Sequence, residues 1–337
     1  MESRALAPEV DSEVKGNHEF RIWLGRVFPQ LLLGFVLGLM IVGLSIASPV
    51  FLTWDNLRNV LDHSSLQIIL AVGMTFVICT AGIDLSIGAV AALCGLCMAT
   101  AMHGGWPVSL SILFGLGIGA LVGVGNGLLV ALLKVNPFIV TLGTMSVSRG
   151  LSLIITGGIP LYGFSKSFTW WGSGHIGPVN PPMLLAALLV VAGAVVLNKT
   201  RLGYYTLALG GNEEALRRSG VAASGYKVVV YALCGLTAAL AGLVVTARLN
   251  TAEPLAGWMF ELDTIAAVVL GGTSMKGGMG SIAGTVIACF LLGVLRNGLV
   301  ILSISSYYQQ LLIGVIILTA VVFSEIRSRK DLPNFEQ

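Results

Sequence analysis

The chain has 337 residues, of which 55% are hydrophobic and only 10% are charged. Soluble domains carry about a quarter of their residues as charged ones, so this composition cannot cover a water-facing surface. The uncharged run from Pro107 to Leu133 alone exceeds the roughly 20 apolar residues that cross a bilayer. A polytopic membrane protein of the all-α class is predicted, which excludes a soluble enzyme, a nucleic-acid-binding protein and a secreted disulfide scaffold. The net charge of +3 favours no class of partner.

Apolar runs between helix breakers predict about ten membrane crossings. The second and eighth runs are too short for a full crossing, which predicts broken or re-entrant helices sheltered by protein or water. Residues 27–325 form the predicted transmembrane helical bundle, flanked by tails at 1–26 and 326–337. The ten runs lie near 27–48, 66–80, 85–102, 108–133, 138–156, 182–198, 228–247, 262–274, 281–302 and 309–325.

Basic residues beside the runs predict the orientation, because loops rich in Lys and Arg stay in the cytoplasm. They cluster in the loop 199–227 and near both ends of the chain. The loop and both tails are therefore predicted to be cytoplasmic, with six crossings before the loop and four after it. The opposite loops, near 49–65, 157–181, 248–261 and 303–308, hold aromatic residues typical of the headgroup region. These residues are Trp54, Trp170, Trp171, Trp258, Tyr307 and Tyr308.

Two segments of the chain resemble each other and indicate an inverted internal repeat. The run 123–130 is similar to 293–300, with Asn126 matching Asn297, and an Asp opens an apolar stretch upstream of each run. Two halves with an odd number of crossings each would be inverted relative to each other, as in many transporters. Chance similarity between two segments rich in Gly, Leu and Val is the alternative.

Four glycines recur at every fourth position of the fourth run and therefore share one face of a helix. Such a face predicts close packing against a second helix, because backbones can approach each other along it. The alternative is a glycine-lined pathway. The four residues are Gly115, Gly119, Gly123 and Gly127.

Several ionisable and amide side chains lie in or beside the apolar runs. Ionisable groups at membrane depth are costly, so they usually face a bundle interior or a polar cavity. These side chains are candidates for a translocation pathway or a gate, and the alternative is a structural ion pair or a side chain that reaches the membrane surface. The candidates are Asp84, Asn126, Arg149, Glu261, Asp263, Arg296 and Asn297.

The sequence contains no motif that predicts a catalytic, metal or cofactor site. The four histidines lack metal-ligand spacing, and no GxSxG nucleophile elbow is present. The run Gly271–Lys276 resembles a phosphate loop, but Met275 replaces its second glycine. The chain is therefore not expected to be an enzyme or to bind ATP itself. A gradient-driven carrier stays open as an alternative, although few carboxylates in the runs could couple protons or sodium.

The stretch from Thr206 to Lys227 is the longest polar segment on the predicted cytoplasmic side. Within it, residues 213–218 are good helix formers with an acidic start and a basic end, which match the helix macrodipole. Gly220 is expected to end this helix. A short amphiphilic helix lying across the cytoplasmic face is typical of a docking element for another protein, and an ordinary solvated loop is the alternative.

Five blocks that together cover most of the apolar chain resemble the membrane subunits of bacterial ABC importers for pentoses and related monosaccharides, the ribose-type permease family. The resemblance implies a permease subunit of the inner membrane that works with cytoplasmic ABC ATPase subunits, a second permease subunit, identical or homologous, and a periplasmic sugar-binding protein. Importers of other small solutes, such as a sugar-derived signal or a nucleoside, and secondary transporters stay open as alternatives. The blocks are 73–90, 126–151, 207–221, 260–285 and 293–321.

The resemblance also assigns a role to the run GGNEEALRRSG at 210–220, which matches the coupling segment that docks on the ATPase. Local departures from the family pattern, such as Asn136 before Pro137 and Tyr204–Tyr205 before the coupling segment, leave the sugar open. The implied coupling residues are Gly210, Gly211, Asn212, Glu213, Glu214, Ala215, Arg217, Arg218 and Gly220.

Overall fold

The computed structural model describes residues 30–305, 307–312, 314–316, 318, 319 and 322. Helices make up most of this part of the chain, and the predicted tails at 1–26 and 326–337 lie outside the described residues. Helical residues recur between 307 and 322. The elements before them are α1 (Gln30–Ala47), α2 (Trp54–Cys79), α3 (Ile87–His103), α4 (Val108–Ala131), α5 (Pro137–Thr156), β1 (Leu161–Tyr162), α6 (Lys166–Ser173), α7 (Pro181–Lys199), α8 (Arg201–Gly211), α9 (Glu213–Arg218), α10 (Ala223–Leu249), β2 (Thr251–Ala252), α11 (Phe260–Leu270) and α12 (Ile282–Ile301).

Seven of the described helices are long and apolar enough to cross a membrane, namely α1, α2, α4, α5, α7, α10 and α12. A further apolar helix, α3, has 17 residues. These lengths confirm the predicted all-α, polytopic class. The expectation of a short eighth run is also confirmed, because α11 has 11 residues, which span about 16 Å, roughly half of a hydrocarbon core.

The expectation of a short second run is wrong. Helix α2 has 26 residues and begins at Trp54, so the predicted run 66–80 is only its second part, and most of the predicted loop 49–65 is helical. Polar side chains in the first turns made this stretch resemble a loop. In the fold they have partners: Asn180 donates to Asp62, and Arg58 lies 2.8 Å from a ring nitrogen of His175.

Local signals set the ends of several helices. Asn136 precedes α5 and accepts a hydrogen bond from the Phe138 amide at 2.9 Å, with Pro137 at the first helical position. Asn180 and Pro181 repeat this arrangement at the start of α7. An Asn cap followed by proline favours a helix start, because the cap satisfies a free amide and proline lacks one.

The four spaced glycines of α4 pack tightly, as predicted. Cβ atoms added at Gly119 and Gly123 would overlap the carbonyl oxygens of Gly235 and Tyr231 on α10, and one added at Gly127 would overlap Val228. Gly115 packs against the Met98 side chain of α3 in the same way. The glycine face therefore brings two backbones together and does not line a pathway.

The helix contacts support the predicted inverted repeat. The long helix α10 packs on α3 and α4, whereas the long helix α2 packs on α11 and α12. The two long helices pack against each other and are antiparallel, because Gly73 approaches Thr237 whereas Gly82, further along the chain, approaches Tyr231. Gly293, which matches Gly123 in the repeat, approaches Ser64 of α2. This pattern of contacts is the one expected if α10–α11–α12 repeat α2–α3–α4.

The two ends of α10 define two ends of the bundle. The short strands β1 and β2 pair antiparallel next to the last residue of α10, and we call this the sheet end. Helix α9 precedes the first residue of α10, and we call the opposite end the α9 end. The predicted outer loops 157–181 and 248–261 meet at the sheet end through the β1–β2 pairing, as expected for loops on one side of a membrane.

Candidate functional site

Helix α9 is an ordered element and not an open loop. Asn212 accepts a hydrogen bond from the Ala215 amide at 2.9 Å and so caps α9. Glu213 forms an ion pair with Lys227 at 2.6 Å, which ties the start of α9 to α10. The buried side chain of Leu216 packs in a cluster with Leu209 and neighbouring apolar residues. The predicted helix is confirmed, and Gly220, with a φ of +83°, lies just beyond its end.

The other face of α9 carries exposed charges. Glu214 and Arg218 form an i,i+4 pair at 3.1 Å, with side chains that are 63% and 79% exposed. Arg217 is also exposed. Exposed pairs of this kind contribute little to stability. Their side chains can therefore exchange their present contacts for those of a partner at small cost.

The residues before α9 connect it to the rest of the bundle. The Gly278 amide donates to the Cys79 carbonyl oxygen at 3.0 Å, which joins the turn between α11 and α12 to the last residue of α2. A Cβ added at Gly210 would overlap both of these groups, whereas one added at Gly211 would meet no atom of the described residues within 4 Å. The end of α8 therefore lies directly against α2 and against the α11–α12 turn.

A cavity of about 480 Å³ lies among α2, α11 and α12, towards the sheet end. It is bordered by the first part of α2, the first turns of α11 and the last turns of α12. Its apolar walls include Leu66, Leu70 and Phe260. Its polar side chains are Asn59, His63, Gln67, Asp263, Thr264, Arg296, Asn297 and, from the helical residues beyond α12, Gln309.

Asp263 of α11 and Arg296 of α12 form an ion pair in the wall of this cavity. Arg296 Nη2 lies 2.6 Å from Asp263 Oδ2, and the Asp263 side chain is only 12% exposed. Gln67 Nε2 donates to the Asp263 carbonyl oxygen at 3.2 Å. Asn297 exchanges two hydrogen bonds with Asn56, at 2.7 and 3.0 Å. Three of the seven candidates named from the sequence therefore lie together here, and α2 supplies polar partners for them.

Two other candidates form a buried cluster near the α9 end. Asp84 is 1% exposed and accepts from both the amide and the hydroxyl of Ser86, at 2.9 and 2.6 Å. Asn126 donates to the Ser86 hydroxyl at 3.1 Å and accepts from the Thr144 hydroxyl at 2.6 Å. This chain of hydrogen bonds fastens the start of α3 to α4 and α5.

The two clusters lie at positions that the predicted repeat matches with each other, but they differ in packing. Asp84 and Asn126 correspond to Asp263 and Asn297, and each Asp reaches the helix that carries the matched Asn. Asp84 and Asn126 are both almost fully buried. Asp263 and Asn297, by contrast, border the cavity. Asp84 and Asn126 are therefore enclosed by protein, whereas Asp263 and Asn297 border a cavity.

The remaining candidates, Arg149 and Glu261, lie apart from the cavity. Arg149 Nη1 donates to the carbonyl oxygens of Pro254 and Ala256, at 3.1 and 2.5 Å. Glu261 is close enough to attract Arg149 electrostatically. Arg149 therefore fastens the segment before α11 to α5, which fits the structural alternative better than a pathway role.

Comparison with known proteins identifies the kind of molecule that carries these sites. Residues 56–321 match the family described as the branched-chain amino acid transport system / permease component. The chain belongs to this permease family. The curated relatives include the ribose import permease protein RbsC of Escherichia coli (strain K12), which is 45% identical over 287 residues, 84% of this chain and 89% of the relative.

Other relatives also cover most of the chain. The ribose import permease of Bacillus subtilis (strain 168) is 44% identical over 88% of this chain and 93% of its own length. The D-allose transport system permease of Escherichia coli (strain K12) is 36% identical over 88% of this chain and 91% of its own. No solved structure matches the chain.

Sequence reasoning missed the contribution of α2 to the cavity of this permease. The sequence predicts Asn59 and His63 in the loop 49–65 and Gln67 at the edge of the short run 66–80, so none of the three is among the candidates. A signal was present, because the three polar residues recur at every fourth position and therefore share one helix face. Thr264 follows Asp263 directly but gave no separate signal.

Proposed function

We propose that this chain is the membrane permease subunit of an ATP-driven importer for ribose or a closely related monosaccharide. The observation that carries this proposal is the identity of 41–45% to ribose import permeases over 84–94% of the chain. Permeases named for allose and for galactose are less similar, at 35–36% identity. The order of similarity therefore favours ribose over the hexoses.

The exposed charged face of α9 is the proposed contact for the cytoplasmic ABC ATPase subunits. Glu214, Arg217 and Arg218 are available there, while Glu213 and Leu216 hold the helix in place. ATP would then be hydrolysed by these partners and not by this chain. The α9 end and both tails would face the cytoplasm, and the sheet end would receive a periplasmic sugar-binding protein. A second permease subunit would complete the assembly in the bacterial inner membrane.

The packing of α8 supplies a direct route from α9 to the cavity. Gly210 touches the last residue of α2 and the turn between α11 and α12. Helices α2, α11 and α12 also line the cavity, which lies towards the other end of the bundle. A movement of α9 driven by ATP binding to the partners would therefore shift the walls that carry His63 and Arg296. ATP can drive such a switch because it binds the two states of the ATPase with different affinity.

Competition for uptake tests the substrate. Cells that express the complete importer are given radiolabelled ribose together with an excess of unlabelled ribose, allose, galactose or a nucleoside. The proposal predicts that unlabelled ribose competes most strongly and that the hexoses compete weakly. Strong competition by the nucleoside, or no saturable ribose uptake, would contradict it.

A further inference from the structure

Some polar groups of the cavity between α2, α11 and α12 make fewer hydrogen bonds with the described residues than their donors and acceptors allow. The Thr264 hydroxyl is fully buried and makes no hydrogen bond among those residues, although Thr264 borders the cavity. Gln67 donates one hydrogen bond, to the Asp263 backbone. Buried polar groups are costly without partners, so these groups indicate a polar ligand or ordered water.

The charges of the cavity favour a neutral ligand. Asp263 and Arg296 are 2.6 Å apart and neutralise each other. An ion entering the cavity would have to compete with one member of this pair for the other. Hydroxyl groups can donate to a carboxylate and accept from a guanidinium at the same time, so they fit the pair without separating it.

The shape and lining of the cavity fit a monosaccharide. Its volume of about 480 Å³ lies within the usual range for small-molecule sites, with room for one sugar ring and some water. Phe260, Leu66 and Leu70 provide an apolar wall that suits the C–H face of a ring. The side-chain amides of Asn59, Gln67 and Asn297 and the hydroxyl of Thr264 supply both donors and acceptors.

We propose that this cavity, within a single permease subunit, binds the imported monosaccharide in contact with Phe260, Gln67, Asp263, Thr264 and Arg296. This inference rests on the proposed function and adds a binding site to it. The sugar reaches the cavity from the sheet end, where α2 begins and α12 ends.

Protection of an introduced cysteine tests occupancy. In the complete importer, His63→Cys is reacted with a small membrane-impermeant thiol reagent with and without free ribose, and betaine serves as an osmotic control without hydroxyl groups. Leu61→Cys is the matched control, because Leu61 is exposed on the same helix but does not border the cavity. At a ribose concentration four times the dissociation constant, the reaction of His63→Cys is expected to slow about fivefold. The reaction of Leu61→Cys is expected to stay unchanged.

A second pair of variants separates binding from a distant change of shape. Thr264→Val, made in the His63→Cys background, removes one hydroxyl from the cavity and is expected to raise the ribose concentration needed for half-maximal protection about fivefold, the effect of one neutral hydrogen bond. Thr237→Val is the control, because the Thr237 hydroxyl bonds the Cys234 carbonyl of its own helix and does not border the cavity. If His63→Cys does not assemble, Asn59→Cys takes its place.

The outcomes distinguish the inference from the proposed function. Normal ribose uptake by the unmodified importer, combined with equal reaction of His63→Cys with and without ribose, would overturn the site and leave the function standing. A cysteine that is unreactive before sugar is added would show that another subunit or lipid fills the cavity, and this too would overturn the site. Failure of the unmodified importer to take up ribose would instead overturn the function.

Discussion

The contact of Gly210 with α2 and the α11–α12 turn predicts different effects for two neighbouring glycines. A methyl group at Gly210 would overlap the Cys79 carbonyl oxygen and the Gly278 amide, whereas one at Gly211 would touch none of the residues that the structure describes. We therefore compare Gly210→Ala with Gly211→Ala. The two variants make the same chemical change at adjacent positions near the end of one helix.

The expected magnitudes follow from three contributions. Overpacking at Gly210 costs about 1–3 kcal/mol, and loss of the hydrogen bond between Gly278 and Cys79 costs about 1 kcal/mol more. Replacing a helical glycine by alanine returns up to about 1 kcal/mol. The net expectation for Gly210→Ala is a loss of about 1–3 kcal/mol in the free energy of unfolding. For Gly211→Ala the expectation is no change or a gain of less than about 1 kcal/mol.

The test measures both the thermal stability of the permease and its ATP-driven uptake of ribose. Thermal unfolding of the purified permease is measured for both variants, and ATP-driven ribose uptake is measured with the complete importer at equal protein levels. Gly210→Ala is expected to lower both the unfolding midpoint and the uptake rate, because α8 must move away from α2 and from the turn. Gly211→Ala should resemble the parent in both measurements. Equal behaviour of the two variants would refute the proposed route from α9 to the cavity.

Three further variants test the ATPase contact of α9, the buried cluster around Asp84 and the membrane topology. Glu214→Lys reverses an exposed charge without disturbing the pair of Glu213 and Lys227, and it should reduce co-purification of the ATPase at an unchanged permease level; undiminished co-purification would remove α9 as the contact. Asp84→Asn weakens the buried acceptor of Ser86 and should slow uptake while the ATPase still co-purifies; parental uptake would make Asp84 a tolerated polar group. Ser173→Cys, on the exposed surface of α6, should react with an impermeant thiol reagent from the periplasmic side, and reaction from the cytoplasm alone would invert the topology.

The sequence was most informative where the structural cause is local. The acidic start, basic end and terminal glycine of α9 lie within a few residues of one another, and the helix forms as predicted. The spacing of the α4 glycines likewise predicted a close approach of two backbones, although it could not identify α10 as the second helix. The short α11 followed from the length of its apolar run.

The sequence was least informative where polar residues find partners far along the chain. Asn56 bonds Asn297, 241 positions away, and Asn180 bonds Asp62, 118 positions away. Without these partners, the first turns of α2 have the composition of a loop. For the same reason the cavity could be predicted only through Asp263, Arg296 and Asn297, and the residues of α2 that complete it were missed.

Import of a ribose-like sugar by this permease is proposed to take its energy from ATP bound by partner subunits. The most direct measurement is ribose uptake into proteoliposomes that contain the permease and its ATPase subunits, with ATP enclosed and sugar-loaded binding protein outside. We expect uptake that requires enclosed ATP and continues after the proton and sodium gradients are collapsed. Uptake by the permease without its ATPase subunits that stops when the proton gradient is collapsed would contradict it and would indicate a secondary transporter.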